Sequence, residues 1–312
     1  MKKAFFYLLF TICSIVVAGQ RKSVAELLGY PKDAKLLIVH ADDLGVSHSE
    51  NSASISAMEK GSVKSASIMV PPAWFPEMAA YASLHPDMDF GLHLTLTSEW
   101  KYYKWGPVTP AQNIPGLVNK NGFLYSSVDS VIANASPAEV EEEIRNQVKR
   151  ALQFGIKPTH LDSHMYTLHQ SLGFLKAYLK VGHEFDLPVY ITRQVGNNLH
   201  VNLDTIVSDQ DIIIDTLLTA EYEDYKAGMV DFYTRGFKNL KPGITYLILH
   251  TAYDDDEMKA VTIEHDGWGA AWRQQDYNFF SSPLCAKLLK ENNIYVVTWR
   301  EIRDKITRRT RV

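Results

Sequence analysis

The sequence predicts an α/β protein built on a mostly parallel sheet, and three observations carry that prediction. Apolar runs of strand length alternate with helix-patterned segments along the chain, the order that right-handed crossovers impose on parallel strands. Four of those runs end on histidine or aspartate: LLIVHADD at 36–43, DFGLHLT at 89–95, PTHLDSH at 158–164 and YLILHT at 246–251. The length, 312 residues, suits one barrel of about 250 residues better than two small domains. A parallel α/β barrel collects the C-terminal ends of its strands on one face, so four such endings can converge on one pocket. Alternation alone does not separate a closed barrel from an open sheet.

The elements follow in order. Residues 35–41 form the first strand, and Ser47 caps a helix that runs to Lys60 and ends at Gly61. A second strand at 65–70 is stopped by Pro71 and Pro72, a short helix covers 77–84, and 88–94 is the third strand, with His93 near its end. Residues 97–136 are rich in Pro, Gly, Asn and aromatics and read as a long loop, which in a compact domain is usually functional. Ser136 and Pro137 open a helix to Gly155, with Val140, Ile144, Val148 and Leu152 on one face. A strand at 159–162, a helix at 168–181 and a strand at 187–192 come next; 194–222 has no clear pattern. A helix at 223–240 turns through Pro242-Gly243 into a strand at 244–250. Ser282 and Pro283 open a helix to Glu291, and 294–299 and 301–308 close the chain as strand and helix.

The first nineteen residues stand apart. Lys2 and Lys3 precede an apolar stretch from Ala4 to Ala18, and Ala18-Gly19 offers small residues for cleavage. This has the form of a secretory signal peptide, with 20–312 as a single catalytic domain and a secreted or periplasmic location expected. The alternative, a membrane anchor, needs roughly 20 apolar residues, so no stable membrane insertion is expected after cleavage. Loss of residues 1–19 takes the net charge from −4 to −6. No basic run tracks a nucleic-acid backbone; Arg308, Arg309 and Arg311 read as a solvated tail, so nucleic acid is excluded as a partner. Cys285 alone remains, in the helix-like SPLCAKLL, and reads as core. Oligomeric state is left open.

The chemistry lies in the strand endings. Asp43, His93 and His164, with Asp42 beside them, read as an open metal site with a carboxylate base, the apparatus of metal-assisted hydrolysis. On a regular strand Asp42 and Asp43 point to opposite faces; a turn before Gly45 can bring both to one pocket. The alternative is a helix cap plus a surface acid. His160-x-Asp162-x-His164 puts three metal-binding types on one strand face if the strand persists. Burying them unpaired is costly, and Asp162 can fix the tautomer of a liganding histidine. His250 is the candidate to protonate a departing amine; otherwise it fills the barrel mouth. His169 reads as helical, at the surface or beside the ligands.

These motifs resemble the YdjC-like carbohydrate deacetylase family, which includes chitooligosaccharide deacetylases. The carrying segments are HADDLG at 40–45, GLHLTLT at 91–97, KPTHLDSHM at 157–165 and LILHTAY at 247–253, and the match spans roughly residues 35–300. The resemblance implies a distorted (β/α) barrel, TIM-barrel-like and related to polysaccharide deacetylases. It implies Asp42 as catalytic base, Asp43, His93 and His164 as metal ligands, and His250 as general acid. It implies one divalent metal ion, magnesium by family usage, whereas two imidazoles and a carboxylate suit zinc or another transition ion by softness. Where relatives carry a histidine-richer stretch after the third motif's Asp-Ser, this chain has MYTLH, so His169 inherits no role.

Trp100, Tyr102, Tyr103 and Trp105 follow the His93 motif closely and are expected to face a sugar, with about half packing into the rim; Trp268 and Trp272 are expected to form the opposite wall. Arg273 either holds the catalytic carboxylates ionised or pairs with Asp276 at the surface. The resulting reading is a metal-dependent deacetylase of acetylated amino-sugar oligosaccharides. The alternatives are a metal-dependent hydrolase of another acyl or glycan bond, and a non-catalytic glycan-binding barrel.

Overall fold

A computed structural model describes residues 22–265 and 267–309; the signal-like segment lies outside them. The strands are β1 (Lys35–Leu44), β2 (Ser65–Ile68), β3 (Phe90–Leu94), β4 (Leu161–Ser163), β5 (Thr216–Leu218), β6 (Gly243–Leu249) and β7 (Ile294–Val296). Every pairing between them is parallel, in the order β4-β3-β2-β1-β6-β5. β1 is the hub. One edge of it carries β6 from Lys35 to Ala41, and the other is shared, β7 beside Lys35–Leu37 and β2 from His40 onward.

The circle is completed by single bridges. Val189 pairs with Leu161 of β4, and Ile214, just before β5, pairs with Thr192. The segment expected as a strand at 187–192 therefore does a strand's work without a ladder. The result is a distorted (β/α) barrel.

Period-2 alternation sorts the strands. On β1, Leu37, Val39 and Ala41 pack outward on the helices, while Leu36 and Ile38 join an inner cluster with Tyr190, Ile214, Ile244, Tyr246 and Trp299. His40 and Asp42 continue that inward row. On β2 to β4 the same face carries buried Ser65, Ser67, His93, His160 and Asp162. Gly91 lies on this face because a methyl there would overlap the His160 ring, which stacks on Trp299 with centroids 5.0 Å apart.

Several elements differ from the sequence reading. Residues 97–136 include a helix at Val128–Asn134 and short turns at Ala111–Asn113 and Pro115–Leu117. The helix expected at 223–240 breaks into Tyr222–Ala227 and Met229–Asn239, because Gly228 takes φ +118°. Arg193–Leu199, Asp256–Val261 and Ala270–Phe280 are helices that no pattern announced. His169 is not at the surface: it is buried, and its Nε2–H donates to the Tyr190 carbonyl at 2.9 Å. Cys285 is buried, and burial pushes its thiol up to about 11, as suits a core residue. Among the described residues no helix is long and apolar enough to cross a membrane.

Gly91→Ala is expected to destabilise the fold by about 1–3 kcal/mol through overpacking against His160, read as a lowered urea midpoint with unchanged slope. Wild-type stability would mean that the His160 ring yields freely.

Candidate active site

The pocket begins with a break in β1. Its register with β2 shifts between Ala41 and Leu44, Asp43 adopts φ +68° and Gly45 φ +98°. A left-handed aspartate costs on the order of 1–3 kcal/mol and persists only where its surroundings over-determine it. Here the Gly45 N–H donates to Asn51 Oδ1 at 2.6 Å, and Asp43 is clamped from the far side. The shift undoes the strict alternation, so both aspartates reach one cavity of about 310 Å³, within the usual range for ligand pockets.

Three donor atoms converge. Asp43 Oδ1 lies 3.3 Å from His164 Nδ1 and 3.5 Å from His93 Nε2, and the three side chains offer ligand atoms within 4.8 Å of one another. Asp43 Oδ1 is buried and accepts no aligned hydrogen bond. The opposite atom of each group is already held. The Arg273 guanidinium donates to Asp43 Oδ2 at 2.8 Å, His93 Nδ1 donates to Asp162 Oδ1 at 2.7 Å, and His164 Nε2 sits 3.1 Å from both oxygens of Glu99. Those outer contacts fix each imidazole's tautomer so that its remaining lone pair points inward. Two other sets, His40–His160–Asp162 and Asp42–His93–Asp162, meet the same distance test. In them, His40 is bonded to Ser65 and Ser67, and Asp162 to His93 and Tyr246. The Asp43 set is the one whose facing atoms fit a cation.

The charges agree. Burial would raise the Asp43 carboxyl, but Arg273 and the neighbouring histidines hold it well below the usual range. Burial would lower His164, but Glu99 and Asp43 push it up to about 10. His93 is likewise raised against burial by Asp162 and Asp42. Among the protein's own groups the raised histidines share with Arg273 the task of offsetting the carboxylates; a bound dication would take over that charge and displace a proton from each imidazole it meets. His250 behaves otherwise: burial pulls it down to about 4, with Asp43 opposing. Its Nε2 lies 3.8 Å from Asp43 Oδ2.

Asp42 stands at the centre, with Oδ2 3.7 Å from His93 Nε2. His160 lies lower in the barrel, Nε2 3.9 Å from Asp162 Oδ2. Arg273 is buried on Asp43 and Glu50 and makes no surface pair with Asp276, which instead accepts from the Tyr233 hydroxyl and the His250 N–H. Trp100 and Trp268 line the cavity. Tyr103 and Trp105 do not: the Tyr103 hydroxyl accepts from the Ala73 N–H, and buried Trp105 donates Nε1–H to the Thr97 carbonyl at 2.8 Å. Tyr103 thereby ties the loop to the segment after β2, and Trp105 ties it to its own start. Tyr102 is exposed, and Trp272 is buried behind Trp268 with centroids 4.3 Å apart.

Sequence reasoning passed over His40, Glu50 and Glu99. His40 carried a signal, its same-face spacing to Asp42. Glu99 was the lone acid in SEWKYYKW. Glu50 had none beyond its place in the first turn of a helix.

A family model described as YdjC-like protein matches residues 36–291, and the chain belongs to that family. A carbohydrate deacetylase of Thermoanaerobacter pseudethanolicus is 25% identical over 267 residues, covering 85% of this chain and 98% of its own. One from Thermus thermophilus is 27% identical over 87% of this chain and 95% of its own. A chitooligosaccharide deacetylase of Serratia marcescens is 35% identical over 42% of this chain and 49% of its own. Among solved structures, an Enterococcus faecalis protein assigned to cellobiose-phosphate cleavage superposes with TM-score 0.71 at 20% identity, covering 86% of this chain and 99% of that one, which shows the fold.

Glu99→Gln removes the charge that orients His164. It is expected to weaken zinc binding about 10–100-fold with the fold intact, measured by chelator competition and circular dichroism. Unchanged affinity would take Glu99 out of the site.

Proposed function

We propose that this YdjC-like family member is a metal-dependent deacetylase that hydrolyses the N-acetyl group of amino-sugar oligosaccharides. The observation that carries the reading is the inward convergence of Asp43 Oδ1, His93 Nε2 and His164 Nδ1, each with its opposite atom held, beside Asp42. The names of the Thermoanaerobacter, Thermus and Serratia relatives support the reaction and the sugar class. Two imidazoles and one carboxylate favour zinc or another transition ion over the magnesium that family usage implies. The lysine-led apolar segment at 1–19 supports export to a secreted or periplasmic location.

A divalent ion held by the three donors would polarise the acetyl carbonyl and make nearby water more acidic. Asp42 takes the proton from the attacking water through Oδ2. Arg273 keeps Asp43 ionised throughout. His250 delivers a proton to the departing nitrogen, since an amide nitrogen leaves poorly without one. Burial keeps His250 neutral at rest; negative charge growing on the acyl oxygen during attack raises its proton affinity, so it takes up a proton from solvent before the nitrogen departs, and Asp42 afterwards releases to solvent the proton it took from water. The C–N bond then breaks to give acetate and the free amine. Trp100 and Trp268 offer ring faces and edges to the sugar.

Asp42→Asn is expected to keep bound metal and lose about 10²–10⁴-fold in kcat, followed as acetate release from N-acetylated chitobiose with metal content measured in parallel. Zinc-loaded wild-type protein that releases no acetate from any acetylated amino sugar would sink the reading. His250→Ala is expected to slow amide substrates far more than activated acetyl esters, whose leaving groups need no proton. Equal losses on both would reduce His250 to a packing residue.

A further inference from the structure

We propose that His40 is a positioning residue that sets which oxygen of Asp42 faces the reacting water. Its imidazole is fully buried at the end of the inward row of β1. Nδ1 is 3.0 Å from Ser65 Oγ and Nε2 is 3.1 Å from Ser67 Oγ. The same Nε2 lies 3.1 Å from Asp42 Oδ1 and 3.0 Å from Asp162 Oδ2, ion-pair contacts in which the buried Asp42 Oδ1 accepts no aligned hydrogen bond from any group. His160 meets the ring edge-on at 4.9 Å, and Tyr246 lies over it at 5.0 Å. Side chains from β2, β4 and β6, together with His160 just ahead of β4, thus hold this one ring.

The arrangement is a closed cycle of two imidazoles and two carboxylates. Above, His93 spans Asp162 Oδ1 at 2.7 Å and Asp42 Oδ2 at 3.7 Å. Below, His40 spans the two remaining oxygens. Each aspartate divides its oxygens between a ligand-side histidine and a buried one. Without a ring nitrogen between them, Asp42 Oδ1 and Asp162 Oδ2 would face each other as buried like charges, and the carboxylate free to turn is Asp42, because Asp162 is also held by His93 and the Tyr246 hydroxyl. Rotation of Asp42 misdirects the base and leaves the three ligand atoms where they are. A misplacement of about 1 Å at a reacting group costs on the order of 10²-fold.

The inference rests on Asp42 as the base, so the first arm of its test needs no turnover. Crystal structures of the zinc-loaded wild type and of His40→Leu, which keeps the volume and removes the nitrogen, are expected to superpose at Asp43, His93 and His164 and to differ in the Asp42 carboxylate torsion. An unmoved Asp42 overturns the proposal. In the second arm, on an acetylated chitooligosaccharide, His40→Leu is expected to lower kcat by about 10²-fold with KM and zinc affinity nearly unchanged. His40→Gln, which returns a donor, should recover most of that loss. Zinc affinity falling together with kcat would mean that His40 props up the whole site, and that also overturns it. Should the leucine variant fail to fold, His40→Asn replaces it, being polar but too short to reach both aspartates. If the wild type proves inactive on acetylated sugars, the proposed function fails and the crystallographic arm alone decides the role of His40.

Discussion

The architecture answers one constraint: several carboxylates are buried together at one end of a barrel and need counter-charge that is itself anchored. Arg273 meets the largest share. It reaches from the helix Ala270–Phe280 to Asp43 on β1 and to Glu50 on the helix His48–Lys60, and its Nε–H donates to the Trp268 carbonyl. Breaking one partner out of such a buried pair typically costs about 3–5 kcal/mol, so the arginine fixes two helices and the strained aspartate in one arrangement. Even so, burial pushes Glu50 up to about 8 despite Arg273, with Asp43 and Asp276 adding to the rise.

The outer partners come from separate stretches of chain. Asp162 belongs to β4, Glu99 to the segment after β3, and Arg273 to a helix late in the chain. Glu99 and Trp100 are neighbours in sequence, one against His164 and the other on the cavity wall. The Arg273 guanidinium also lies over the Trp100 ring at 5.5 Å. The aromatic wall of the cavity and the convergence of Asp43 with His164 are therefore fixed by the same few residues.

Much of this arrangement is legible in the amino-acid sequence. The four strand endings mark Asp42, Asp43, His93, His164 and His250, because polar residues closing apolar runs are costly unless a site uses them. Strong caps and proline signals mark the helices beginning at 48, 137 and 283. What stays hidden is set by long-range contact. The αL turn at Asp43 depends on Arg273, some 230 positions away. The short strand β5 and the bridges at Val189 and Ile214 have too little periodicity to stand out. Trp105 and Tyr103 look like Trp100 in sequence, and only the path of the loop separates a cavity-lining aromatic from a packed one. Glu99 needs His164 beside it before its meaning appears.

The way the barrel closes divides it mechanically. From β1 to β4 the strands are laddered and their inward side chains cross-linked, whereas residues 187–214 join their neighbours through isolated bridges, and the ladder resumes only where β5 pairs with β6. Regions with few backbone hydrogen bonds open at lower free energy than laddered ones. Tyr190, on that bridged arc, and Thr219, just after β5, line the same cavity as His93 and His164. The cavity is thus lined by two kinds of backbone: laddered strands that carry Asp42, Asp43 and His93, and a bridged arc that carries Tyr190.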